Sequence, residues 1–85
     1  MTELNLLRTK ITKVDTVLVE YLKKRIELSK KIGNLKKEKN IPIFDPKREE
    51  EIIKLFTQNE TFENKIFIEK FLHFLMDISK EVQSK

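Results

Sequence analysis

Eight side chains occupy positions where the sequence around them calls for something else. Arg8, Arg25 and Lys36 lie on or beside an apolar stripe that runs from Leu4 to about Lys39. Asp45, Arg48 and Glu49 cluster around Pro46, and Ser79 and Gln83 stand i,i+4 on the face that carries Leu72 and Leu75. Arg25 falls between Leu22 and Leu28, and a cation at a core-facing position is costly unless it is paired. The set holds three arginines, one lysine, two acids, one hydroxyl and one amide. It has no cysteine, no nucleophile beside a base and no metal cluster, and the lone His73 is expected on a helix flank. What such a set can do is bind a small dianion that also carries a hydroxyl group, since arginine meets a carboxylate as a planar fork.

These residues need rigid elements to bring them together, and the spacing of apolar residues supplies three. Leu4, Leu7, Ile11, Val14, Leu18, Leu22, Leu28, Ile32 and Leu35 recur mostly at steps of three and four, which predicts one amphipathic helix from Leu4 to about Lys39. Such a rod is about 54 Å long at the usual rise per residue. A compact chain of this size would be about 30 Å across. Something outside the helix's own chain must cover the stripe, most simply a second copy. The helix should stop at Asn40 in a left-handed conformation, with Pro42 just beyond. Ile41-Pro42-Ile43-Phe44 reads as a short extended connector that packs. Asp45 suits an N-cap and Pro46 a first helical position, and Glu49, Glu50 and Glu51 suit the positive end of a helix. This second helix carries Ile52, Ile53 and Phe56 on one face and fades between Thr57 and Glu60. A third helix is expected from about Glu63 to Gln83, opened by Thr61. Its stripe is Ile68, Leu72, Leu75 and Val82, and it is flanked by Phe67, Phe71, Phe74 and Ile78 as core. Gly33, the only glycine, suits a close approach of helices.

The fold class expected is all-α, in one domain spanning residues 1–85. Charged residues make up 38% of the chain and hydrophobic ones 39%, with one glycine and two prolines, which leaves little room for strands. No run approaches the ~18 apolar residues of a membrane span, and Met1 to Lys10 carries no apolar core of signal-peptide length, so a cytoplasmic, soluble protein is expected. The net charge of +4 is weak support for nucleic acid, because the basic residues alternate with acids. Glu20 with Lys24 and Glu27 with Lys31 are spaced as helical ion pairs.

Arg25 and Lys36 lie close to three turns apart, on one face and about 16 Å along the axis, within reach of one small ligand. Arg8 and Arg25 are roughly 25 Å apart. If Arg8 serves the same site, it must come from another subunit. An antiparallel pair of first helices would give two equivalent sites.

The joint pattern of Leu7-Arg8, Ile11, Val14-Asp15, Leu22, Arg25, Ile32-Gly33, Lys36, Pro42, Asp45-Pro46, Arg48-Glu49, Ser79 and Gln83 resembles the all-helical chorismate mutase family over nearly the whole chain. That resemblance implies an intertwined homodimer of three-helix chains that rearranges chorismate to prephenate, with no metal or other cofactor. It implies that Arg8 of the second chain, with Arg25 and Arg48, holds two carboxylates. Lys36 and Gln83 would face the ether oxygen, Asp45 and Glu49 the ring hydroxyl, and Ser79 the carboxylate end. A pericyclic rearrangement fits a site of fixed cations and an amide. It needs a substrate held in a near-attack conformer and positive potential where charge grows on oxygen. Two alternatives remain open at this point. One is an isochorismate-pyruvate lyase on the same fold, using much the same cations. The other is a non-enzymatic basic helical module that dimerises or binds nucleic acid, which would bind with a steep salt dependence.

Overall fold

Each helix starts on a residue whose side chain satisfies an otherwise orphaned amide. Thr2 Oγ1 accepts from Asn5 N at 3.2 Å, Asp45 Oδ1 from Arg48 N at 3.0 Å, and Thr61 Oγ1 from Asn64 N at 3.2 Å. The computed structural model describes residues 2–85 and contains three helices: α1 (Glu3–Glu38), α2 (Pro46–Thr57) and α3 (Phe62–Gln83). Among the described residues there is no strand.

The end of α1 is equally explicit. Asn40 has φ 56°, in the left-handed region that asparagine tolerates better than most residues. This turns the chain so that Ile41 N donates to Lys36 O at 2.8 Å and Asn40 N to Lys37 O at 3.3 Å. Those two bonds close a Schellman motif, and Pro42 then prevents any continuation. Pro46 occupies the first turn of α2, where its missing N–H costs nothing.

α3 packs against both other helices. Its contacts with α1 advance together along the two chains: Arg25 meets Leu75 and Ser79, Ser29 meets Ser79, and Gly33 meets Gln83. The two helices therefore run in the same sense, and α2, which connects them in sequence, packs on α3. The closest approach is at Gly33. A Cβ there would lie 2.8 Å from Gln83 Cα, so the absence of a side chain is what allows the contact.

The face of α1 that meets α3 is not its leucine stripe. Leu22, Arg25, Ile26, Ser29, Gly33 and Lys36 are the buried or half-buried positions of α1. Leu28, Ile32 and Leu35 are exposed at 58%, 47% and 49%. Every described residue before Leu22 is exposed too, including Leu4, Leu7, Ile11, Val14 and Leu18. The molecule measures 56 × 27 × 15 Å with a radius of gyration of 16.3 Å. A chain of this length that packed on itself would reach about 12 Å.

Two expectations need correction. Phe67, Phe71 and Phe74 are not core within the chain but exposed, whereas Leu72 and Met76 are its buried apolar residues. Phe67 and Phe74 sit on the flanks of α3, and Phe71 borders the open cleft, so that none of the three lies on the narrow line that α1 and α2 cover. Glu27 contacts Lys30 at 3.4 Å and not Lys31, and Lys24 lies over the Tyr21 ring at 4.9 Å rather than on Glu20.

Gly33→Ala is expected to lower the melting temperature. The ~1 kcal/mol that alanine gains over glycine in a helix is opposed by overpacking against backbone, typically about 1–3 kcal/mol. A variant more stable than the wild type in thermal unfolding would show that the end of α3 yields freely.

Candidate functional site

Between α1, the connector 39–45, α2 and α3 lies a cleft of ≈ 840 Å³. Seven of the eight residues singled out by type and spacing line it: Arg25, Lys36, Asp45, Arg48, Glu49, Ser79 and Gln83. Arg8 does not. It borders a separate shallow depression with Asn5, Thr9, Thr12 and Lys13, on the uncovered half of α1.

Arg25 is the most constrained cation. Its Nη1 donates to Leu75 O at 2.9 Å and to Ser79 Oγ, and Ser29 Oγ lies 3.0 Å from Ser79 Oγ. Partial burial lowers the Arg25 pKa from its ordinary value, but a guanidinium stays charged at physiological pH. One nitrogen is committed to α3, and the rest of the fork remains for a ligand. Lys36 projects from the last turn of α1, and its Nζ donates to Ile43 O at 3.0 Å. The Schellman turn at Asn40 brings that carbonyl back over the helix end.

Asp45 is used first as a cap, with Oδ1 on Arg48 N. The Arg48 guanidinium lies 3.7 Å from Glu51, and both side chains are largely exposed. Such a pair holds an arginine only loosely. Gln83 closes the far end of the cleft. Its Oε1 is buried and has no hydrogen-bond partner among the described residues, an arrangement that ordinarily costs stability.

Two residues of this site were not picked out by their sequence spacing. Ser29 is 4% exposed and bridges α1 to the Arg25–Ser79 pair. Arg25, Ser29 and Gly33 follow each other at i,i+4, and this line of polar and small residues was a usable signal. Lys80 also lines the cleft, with Nζ 3.0 Å from Glu49 Oε2, 3.6 Å from Asp77 Oδ1 and 4.9 Å from the centre of the Phe44 ring. Its hydrogen-bonding contact with Glu49 raises its pKa, aided by the charges of Glu49 and Asp77 and opposed by desolvation. Its place in line with Met76 and Gln83, at steps of four and three, was the available hint.

The cleft is thus lined by Arg25, Lys36, Arg48 and Lys80 among apolar walls from Leu28, Ile32, Ile52, Phe71, Leu72 and Leu75. It offers fixed positive charge, a hydroxyl, an amide and carboxylates. Among the described residues no group of His, Cys, Asp and Glu is arranged to hold a metal ion. No described helix is long and apolar enough to cross a membrane.

The chain is 42% identical over 52 residues to a bifunctional chorismate mutase/prephenate dehydratase of Aquifex aeolicus. The match covers 61% of this chain but only 14% of that much longer protein. A solved structure of a conserved hypothetical protein from Pyrococcus furiosus superposes with a TM-score of 0.79 at 37% identity, covering 98% of this chain and 97% of that one. Residues 7–84 match the chorismate mutase type II family, and the chain belongs to that family.

Proposed function

We propose that this protein is a chorismate mutase, which rearranges chorismate to prephenate as an intertwined homodimer. The observation that carries this is a single apolar cleft in which Arg25, Lys36, Arg48, Ser79 and Gln83 converge. Membership of the chorismate mutase type II family supports it. In this function Arg25, Arg48 and the second subunit's copy of Arg8 hold the two carboxylates, with Ser79 at the carboxylate end. Asp45 and Glu49 receive the ring hydroxyl. Lys36 and Gln83 face the ether oxygen as its bond to the ring breaks. The reaction moves electrons around a ring of six atoms and transfers no proton, so the work of the protein is to freeze one conformer and to stabilise charge on oxygen. Loss of chorismate with formation of prephenate tests the activity directly. Release of pyruvate from isochorismate would instead favour the lyase chemistry available to the same cations.

The dimer is supported by the uncovered stripe of α1 and by the absence of Arg8 from its own chain's cleft. Sedimentation is expected to give a dimer at micromolar concentration, and a stably folded monomer would remove both the dimer and the shared site. Arg8→Ala and Arg25→Ala homodimers should each be nearly inactive. After equal mixing and exchange, half the dimers are mixed and each carries one intact site, so about one-quarter of wild-type activity should return. No recovery would show that Arg8 does not act across subunits, and an active Arg8→Ala homodimer would place Arg8 outside the site.

Lys36→Ala should lower kcat by about 10²–10³, the usual loss for one preorganised oxyanion donor, with a smaller effect on KM. Gln83→Glu puts a carboxylate where an amide donated. Its activity should survive mainly at low pH and fall as the carboxyl group ionises. A pH profile like the wild type's for Gln83→Glu would remove Gln83 from the ether oxygen.

A further inference from the structure

A cleft that binds a dianion pays for every carboxylate it contains. This one contains three, Asp45, Glu49 and Glu60, against four cations. Glu49 is the most enclosed acid with a visible partner: its side chain is 21% exposed, and it faces Lys80, which is 32% exposed, at 3.0 Å. Lys80 lies on α3 one residue beyond Ser79 and reaches across to α2, with the Phe44 ring of the connector beneath its ammonium. One residue therefore ties α3, α2 and the connector at the rim of the cleft. The second acid near it, Asp77, is 75% exposed and 3.6 Å away, so its charge is largely screened by water.

We propose that Lys80 is a positioning and specificity residue, which neutralises Glu49 and fixes its carboxylate so that the free oxygen accepts the ring hydroxyl of the substrate. This rests on the function proposed above and deepens it. The contact is made at Oε2 of Glu49, and in this proposal Oε1 is the oxygen offered to the ligand. A carboxylate held this way accepts a hydrogen bond without presenting an uncompensated negative charge to the two carboxylates of the ligand. Without Lys80 the chain's own contribution to the cleft, now three cations and three acids, would cancel, so that only the second subunit's copy of Arg8 would leave a net positive charge, and Glu49 would repel the ligand it is meant to orient. The pair adds little to folding, because it is partly open to solvent. Its effect belongs to recognition. The raised pKa of Lys80 keeps the ammonium charged through neutral and mildly basic pH.

The test is steady-state kinetics on chorismate with five proteins: wild type, Lys80→Met, Lys80→Arg, Glu49→Gln, and the Lys80→Met/Glu49→Gln double variant. Lys80→Met should raise KM about tenfold, the scale of one hydrogen bond to a charged group, while kcat stays within about twofold and the melting temperature is unchanged. Lys80→Arg should restore most of the KM. The double variant should be no worse than Glu49→Gln alone, because the cation has nothing left to hold. A chorismate analogue with hydrogen in place of the ring hydroxyl should make Lys80→Met and wild type equivalent at the hydroxyl. The charge effect should persist with this analogue, because Glu49 without Lys80 still repels the two carboxylates. Failure of the wild type to turn over chorismate would overturn the proposed function and this inference together. An active wild type with an unchanged KM in Lys80→Met would overturn the inference alone. So would losses that multiply in the double variant, since they would put Lys80 in direct contact with the substrate and not behind Glu49.

Discussion

The close contact between Gly33 and Gln83 sets the geometry on which the rest depends. Where two helices approach until a Cβ would meet backbone at 2.8 Å, their relative register has little freedom, because packed interiors do not deform continuously. That contact aligns one line of α1, Arg25, Ser29, Gly33 and Lys36, with one line of α3, Leu75, Ser79 and Gln83. Every polar group that α1 and α3 contribute to the cleft lies on these two lines or next to them. A side chain at position 33 would move the amide of Gln83 relative to the ammonium of Lys36, even though Gly33 has nothing with which to touch a ligand.

The cations of the cleft are long side chains, and long side chains are costly to order. Here the cost is met before any ligand arrives. Arg25 is held by a carbonyl and a hydroxyl of α3, Lys36 by a carbonyl of the connector, and Lys80 by a carboxylate of α2. Only Arg48 has no firm anchor, since its contact with Glu51 is long and exposed. A site arranged in this way resists the rearrangement that water would undergo around a growing charge, and for that reason fixed dipoles and charges outperform solvent.

How much of this could be read from sequence depends on whether the deciding interaction is local. Asp45-Pro46, Thr61 and Asn40 act within a turn or two, and their roles as caps and stop are legible in residue type alone. The boundaries of α1 and α3 fall within a residue of those expected. That Arg25 and Lys36 share one face of α1, and Ser79 and Gln83 one face of α3, was legible from register, whereas the meeting of those faces in one cleft was implied by the family resemblance. The face of α1 that packs on α3 was not. Periodicity finds the most apolar stripe, and the stripe remains uncovered within the chain while a line of small and polar residues makes the contact. The phenylalanines of α3 misled for the same reason: hydrophobicity says that a face is to be covered and does not say by which chain. Lys80 escaped because a lysine on a charged helix is unremarkable until its partner on another element is known.

The route by which the chain acquires this arrangement follows from where its contacts lie. Ser29 and Arg25 find their partners 50 or more residues downstream. During synthesis α1 is made first, yet apart from the connector at its C-terminal end its partners in the chain, at residues 75–83, appear last. A helix without tertiary support is only marginally stable in water. The hairpin of α2 and α3, closed by a short turn, forms through nearer contacts and so comes first on grounds of loop entropy. Order therefore spreads from the later part of the chain back to the earlier. The longest helix in the molecule is the last to be secured, and even when α3 has docked on it, its leucines stay exposed until something outside the chain covers them.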